Sequence, residues 1–183
     1  MLKLIIFFVA SAGIAYVSRA SLRVPRSHGF YRFFAWEFII VLLLLNAERW
    51  FRTPFSVYQV ISWSLLIVSI FLVVHGVHLL RITGKPDKKR IGDVPLIGIE
   101  KTTALVTVGA FKYIRHPLYS SLLFGTWGVF FKGPSLVAGI LALSATMFLM
   151  ATAKVEEAEN TRFFGVAYQT YMKQTKMFIP FLF

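Results

Sequence analysis

Cysteine is absent from this 183-residue chain. That absence removes disulfides and a thiol nucleophile, and it leaves the redox compartment open. Acidic residues are scarce: 8 Asp and Glu stand against 20 Lys and Arg, a formal net charge of +12. Charged residues make up 15% of the chain and hydrophobic ones 57%, against about 25% and about 45–50% in a soluble domain. With a mean hydropathy of +0.68, this composition excludes an ordinary soluble protein and predicts a membrane protein of one domain. No internal repeat or low-complexity segment is present, so the inverted repeats of many transporters are missing. Gly98 and Gly109 lie in no βαβ context and form no dinucleotide fingerprint. An excess of base can serve nucleic acid or anionic headgroups. Here the bases flank apolar segments, so the expected partner is the lipid bilayer and not nucleic acid.

What the chain does have is long apolar runs. Leu4–Val17 follows a single Lys3 and has the outline of a signal peptide. The further apolar segments behind it make a retained first helix the expectation. Phe33–Leu45 is a second, interrupted by Glu37. Val57–Leu80 is the clearest span, long enough for the ~20 residues that a bilayer requires. Leu118–Phe131 and Ser135–Ala153 are a fourth and fifth. The turn Lys132-Gly133-Pro134 between them predicts an antiparallel helical hairpin. The fourth segment is short for a span. The fold expected is all-α: an integral membrane protein of about five transmembrane helices with an amphipathic C-terminal helix. Residues 1–82 would hold three helices, and 83–183 a motif-bearing module within the same membrane domain.

Lys and Arg predict the orientation. Sixteen of the 20 fall on one side, in Arg19–Arg32, in the long loop Arg81–Arg115, and in the tail from Lys154. Lys3, Arg49, Arg52 and Lys132 fall on the other. The expectation is an external N-terminus and a cytoplasmic C-terminus. The long loop is rich in turn formers (Gly84, Pro86, Asp87, Gly92, Asp93, Pro95, Gly98), as functional or disordered loops are.

Two polar clusters stand where apolar segments meet water. The first is Arg115-His116-Pro117 with Tyr119. Proline suits a helix's first turn, so it marks the start of the fourth helix, where free N–H groups and a partial positive charge favour an anion such as a carboxylate. An interfacial anchor would look the same. The second is Glu156-Glu157. Adjacent helix residues do not face each other, so one can enter a pocket while the other meets solvent. A carboxylate beside membrane helices calls for a cationic partner. Beyond it, Phe164, Tyr168 and Tyr171 share one face of a helix that Phe178-Ile179-Pro180 ends. His75 and His78 share a face but lack carboxylate or thiol company, so no metal site is expected. Glu37 lies about a turn from Arg32, and a near-interface pair is the simplest reading.

The stretch LVTVGAFKYIRHPLY (105–119), with Glu156-Glu157, FGVAYQTY (164–171) and Phe178-Ile179-Pro180, resembles the integral-membrane methyltransferases grouped with isoprenylcysteine carboxyl methyltransferase and phospholipid N-methyltransferase. The resemblance is confined to residues 103–180. It implies S-adenosyl-L-methionine as methyl donor and a lipidic or amphipathic acceptor, carboxylate or amine. By position it implies a donor pocket of Thr103, Ala104, Leu105, Val106, Phe111, His116, Pro117, Leu118, Tyr119 and Glu156, with Arg115, His116 and Glu156 as the catalytic set. Phe111 stands where the family usually has Tyr. The family's substrate-linked Arg, four residues before the Glu, is Thr152 here, and Lys154 is the nearest cation. Lys is a point charge and no replacement for a guanidinium fork, so an isoprenylcysteine substrate does not follow. A sterol-reductase-type enzyme using NADPH has a similar outline, but its motif runs R-H-x-N-Y, and Pro117 argues against it. A non-catalytic lipid-binding protein is the other alternative.

Overall fold

The computed structural model describes residues 1–85 and 95–182. Within them the chain forms α1 (Leu2–Leu22), α2 (His28–Asn46), α3 (Val57–Ile82), α4 (Pro117–Phe130), α5 (Leu136–Phe164) and α6 (Val166–Gln174). Short 3-10 turns occupy Ala47–Arg49, Gly98–Glu100 and Gly109–Lys112. Among the described residues there is no β-strand, and an isolated bridge joins Ile114 to Lys176. The all-α class read from the sequence is the class observed. Pro86, Asp87, Lys88, Lys89, Arg90, Gly92 and Asp93 of the long loop lie outside the described residues.

Helices begin where the sequence supplies a cap. Ser27, Ser56 and Ser135 are extended, and their hydroxyls accept from the N–H groups of Phe30 at 3.2 Å, Gln59 at 3.4 Å and Ala138 at 3.2 Å. Each cap satisfies a donor that the first turn leaves unpaired. Because Ser27 is the cap, α2 starts at His28, well before the expected Phe33. The loop expected over Arg19–Arg32 shrinks accordingly, and Arg32 becomes a buried helix residue, 2% exposed. Glu37 does not pair with it; Glu37 accepts from Ser11 Oγ of α1 at 2.6 Å.

Among the described residues, four helical segments are long and apolar enough to cross a membrane: Leu2–Leu22, His28–Arg49, Val57–Ile82 and Leu136–Phe164. Exposed apolar side chains on α1, α3 and α5, such as Phe8, Ile67 and Leu143, suit lipid contact. The protein is an integral membrane protein. The fourth expected span, α4, has 14 residues. At 1.5 Å per residue it reaches about 21 Å, short of the ~30 Å of hydrocarbon.

α5 carries the inward register that builds the site. Ala138, Ala142, Ala145, Leu149 and Thr152 are wholly buried. Their spacing alternates four and three, a seam of period 3.5, and its next position is Glu156. Small residues let α2 approach, and Phe148 of α5 packs on Phe34 and Phe38 of α2 with ring centroids 5.3 and 5.6 Å apart. The helix runs on past the expected Ala153 and stops at Gly165, whose φ of +61 is a value that glycine adopts without a Cβ penalty. About 20 residues from Leu136 use up the hydrocarbon thickness, so the Glu pair lies on α5 itself, near the membrane edge.

α4 is held between α3 and α5. Ser62 Oγ donates to the Gly128 carbonyl and Ser69 Oγ to the Ser121 carbonyl, both at 2.7 Å. A Cβ on Gly128 would lie 2.9 Å from Leu66 Cγ and 3.2 Å from the Ser62 carbonyl oxygen. Gly128→Ala is therefore expected to cost about 1–3 kcal/mol through overpacking. Thermal unfolding in detergent checks this; an unchanged midpoint would contradict so close an α3–α4 approach. At the far end of the hairpin, Lys132 is buried beside Gln59 Oε1 at 2.9 Å, with its ammonium 3.6 Å from the Trp63 ring centre.

Candidate active site

The tail folds back on the first motif. After α6, the Lys176 and Met177 carbonyls accept from the N–H groups of Arg115 at 2.8 Å and His116 at 3.2 Å, and Lys176 N donates to the Tyr113 carbonyl at 3.0 Å. Ser120 Oγ donates to the Phe178 carbonyl at 2.8 Å. Arg115 completes the join. Its Nε donates to Glu157 Oε1 at 2.6 Å, and its Nη1 donates to the carbonyls of Met172 at 3.2 Å and Thr175. The guanidinium expected to await a carboxylate ligand is thus engaged by the protein. Glu157, expected as the solvent-facing partner of the pair, is 7% exposed and also lies 3.3 Å from His116 Nε2.

Glu156 takes the inward position set by the α5 seam. Tyr119 donates its hydroxyl to Glu156 Oε2, and Asn160, one turn on, donates to Oε1 at 3.4 Å. The His116 ring stacks on Tyr119 at 5.4 Å between centroids. The pocket around them has an empty volume of ≈ 690 Å³, open solvent included.

Its lining contains Ala104, Leu105, Val106, Phe111, His116, Pro117, Leu118, Tyr119 and Glu156. Thr103 is not in the lining: its side chain is exposed and its hydroxyl donates to the Lys85 carbonyl at 2.8 Å, while its neighbour Thr102 faces the pocket. Arg115 lies at the margin of the same lining. α5 adds Asn160 and Phe164, and α6 adds Tyr168 and Tyr171. Tyr171 donates to the Phe111 carbonyl at 2.6 Å, which fastens α6 over the loop. Burial pushes both α6 phenols well above the usual tyrosine range, and the Glu156 and Glu157 charges add to it at Tyr168.

The two substrate candidates fall elsewhere. Thr152 is wholly buried, with its hydroxyl donated to the Phe148 carbonyl of its own helix at 2.7 Å. Lys154, two residues on and across the helix, is exposed. Lys154 is absent from the pocket lining.

The sequence reading missed Glu100 and the α2 pair His28 and Arg32. Glu100 lines the pocket from the loop. Arg32 Nη1 donates to Glu100 Oε1, and His28 sits between Glu100 Oε2 at 3.3 Å and Glu159 Oε2. A signal for the α2 pair was present: Ser27 is a good cap, and residues 28 and 32 share a helical face.

Comparison with known proteins agrees with this geometry. The family model described as phospholipid methyltransferase matches residues 57–167. A methanethiol S-methyltransferase of Pseudomonas deceptionensis is 28% identical over 128 residues, 67% of this chain and 43% of that protein. One from Pseudomonas sp. (strain GM41(2012)) is 27% identical over 124 residues, 66% of this chain and 43% of that protein. Methanethiol S-methyltransferase 2 of Bradyrhizobium diazoefficiens is 32% identical over 75 residues, 40% of this chain and 27% of that protein. The chain thus spans less than half the length of these relatives. The match runs from α3 through the Arg-His-Pro turn and the Glu pair into α6, the elements that build most of the pocket, and on that ground the chain belongs to the phospholipid methyltransferase family of integral-membrane methyltransferases.

Proposed function

We propose that the protein is a membrane methyltransferase that binds S-adenosyl-L-methionine in the pocket between the start of α4 and the end of α5. The observation that carries this is Glu156, an acid set by the α5 seam into an otherwise largely apolar pocket and held by Tyr119 and Asn160. Among the described residues the pocket's other acid is Glu100, while its guanidinium, Arg115, is engaged by Glu157 and backbone carbonyls. Such a pocket suits a ligand with positive groups and a flat apolar body. Glu156 and Asn160 would hold the donor's ammonium, and Phe111 and Phe164 offer faces for its adenine.

Bound there, the donor would supply a methyl on a sulfonium: the acceptor's lone pair, for a thiol that of the thiolate left once its proton has gone to solvent, forms the new bond to carbon, the old carbon–sulfur pair stays on sulfur, and S-adenosylhomocysteine leaves. The chain's own contribution is alignment and exclusion of water. His116, stacked on Tyr119, shapes the wall, and Arg115 holds the α6–tail segment closed. The donor face would be cytoplasmic, as the Lys and Arg distribution favours.

The acceptor we favour is a small or membrane-soluble nucleophile, with a simple thiol first. The relatives are named for methanethiol, and neither Thr152 nor Lys154 offers a cation to a larger anionic substrate. The test is turnover of S-adenosyl-L-methionine by protein purified in detergent, with methanethiol, hexanethiol, phosphatidylethanolamine and a farnesylcysteine analogue as acceptors. Methylated thiol and S-adenosylhomocysteine formed one for one are expected. Methylation of phosphatidylethanolamine or farnesylcysteine alone would overturn the thiol assignment, and no turnover with any acceptor would count against the enzyme.

A further inference from the structure

The pocket wall from Glu100 to Val106 has little regular structure of its own: one 3-10 turn, Gly98–Glu100, then irregular chain that bends at Thr103 and Ala104. Two ties hold it. On the α3 side, the Gly84 carbonyl accepts from the N–H groups of Thr103 at 3.0 Å and Ala104 at 3.1 Å. On the α2 side the tie is Glu100. Its Oε1 accepts from Arg32, and its Oε2 lies 3.3 Å from His28 Nε2 and accepts from Ile97 N at 3.0 Å.

The same His28 reaches α5. Its ring Nδ1 meets Glu159 Oε2 and its backbone N–H donates to Glu159 Oε1 at 3.2 Å. Glu159 is one turn from Glu156. Four side chains thus join the loop, α2 and α5 behind the pocket, with His28 wholly buried and Arg32 2% exposed. Arg32 uses only Nη1 in this tie. Its Nε and Nη2 are buried with no hydrogen-bond acceptor among the described residues, a desolvation cost that packing alone gives no reason to bear. Both α2 residues lie outside the 57–167 segment that matches the family.

We propose that α2 supplies positioning residues for the donor pocket: Arg32 and His28, through Glu100, fix the wall segment 100–106 against α5 and so set how tightly the donor is held. The proposal rests on the methyl-donor reading above. A purely structural tie would change stability alone, whereas a positioning tie changes affinity.

The test is calorimetric titration of S-adenosylhomocysteine into the full chain in detergent, unaltered and as Glu100→Gln, Arg32→Gln, the double variant, Arg32→Lys and Gly128→Ala. Each single change at Glu100 or Arg32 is expected to weaken binding by about 10-fold, and the double variant no further, because coupled groups are not additive. Arg32→Lys should recover part of the loss. Gly128→Ala should lower the unfolding midpoint with affinity unchanged. Full affinity in Glu100→Gln and Arg32→Gln, or multiplicative losses in the double variant, would overturn the tie and leave the donor reading standing. No binding by the unaltered protein would overturn the donor reading, and the tie with it. Should Arg32→Gln fail to fold, the near-isosteric Glu100→Gln decides alone, with hydrogen exchange over 95–106 expected to quicken; unchanged exchange and affinity would overturn the proposal.

Discussion

Glu156→Gln is expected to weaken S-adenosylhomocysteine binding by about 10- to 100-fold while leaving the fold intact. The substitution keeps the shape of the side chain and removes its charge. A hydrogen bond to a charged group is worth about 1.5–3 kcal/mol, and about 1.4 kcal/mol is a factor of ten in affinity. The surrounding geometry explains why the fold should survive: Tyr119 can still donate to the amide oxygen, and Glu156 makes no ion pair with Arg115. Calorimetry on the purified variant measures the loss. An unchanged affinity would move the donor away from Glu156 and remove the observation on which the proposed function stands.

Arg115→Ala is expected to destabilise the protein by about 3–5 kcal/mol, the usual result of stranding one partner of a buried pair. Glu157 would lose its guanidinium, and the Met172 and Thr175 carbonyls would lose a donor at the point where the tail turns back. The unfolding midpoint in detergent should fall, and limited proteolysis should cut sooner between α6 and Phe178. Donor affinity would fall as a consequence, since α6 lines the pocket. Arg115→Lys should restore only part, because one ammonium cannot reach three acceptors in the guanidinium's geometry. A variant with full stability and lost donor binding would instead give Arg115 the ligand-holding role that its place before a helix N-terminus suggests.

The helices and the first motif were legible in the sequence because both obey local rules. Apolar runs gave α1, α3 and α5, and Pro117 marked the start of α4. The choice of Glu156 over Glu157 rests in the sequence on the family resemblance alone; the α5 seam that turns it inward shows only in the burial of Ala138 to Thr152. What was not legible depended on distant contacts. Glu157 reads as a solvated neighbour of Glu156 until the tail returns Arg115 to it. Glu100 sits in a loop with no periodicity, and only the tertiary fold brings it to the pocket. His28 and Arg32 read as loop residues because the apolar run begins only at Phe33, about one and a half turns after the Ser27 cap. The fourth segment reads as short for a span already in the sequence, and the 14 residues of α4 meet only about two-thirds of the hydrocarbon thickness.

The central claim is that a methyl donor sits between the start of α4 and the end of α5 with its amino group on Glu156. An experimental structure of the protein with S-adenosylhomocysteine tests it most directly. The account predicts ligand density bounded by Phe111, Tyr119 and Phe164, with the ligand's amino nitrogen within hydrogen-bond distance of a Glu156 carboxylate oxygen. Density elsewhere in the bundle, or in this pocket with Glu156 turned away from the ligand, would contradict it.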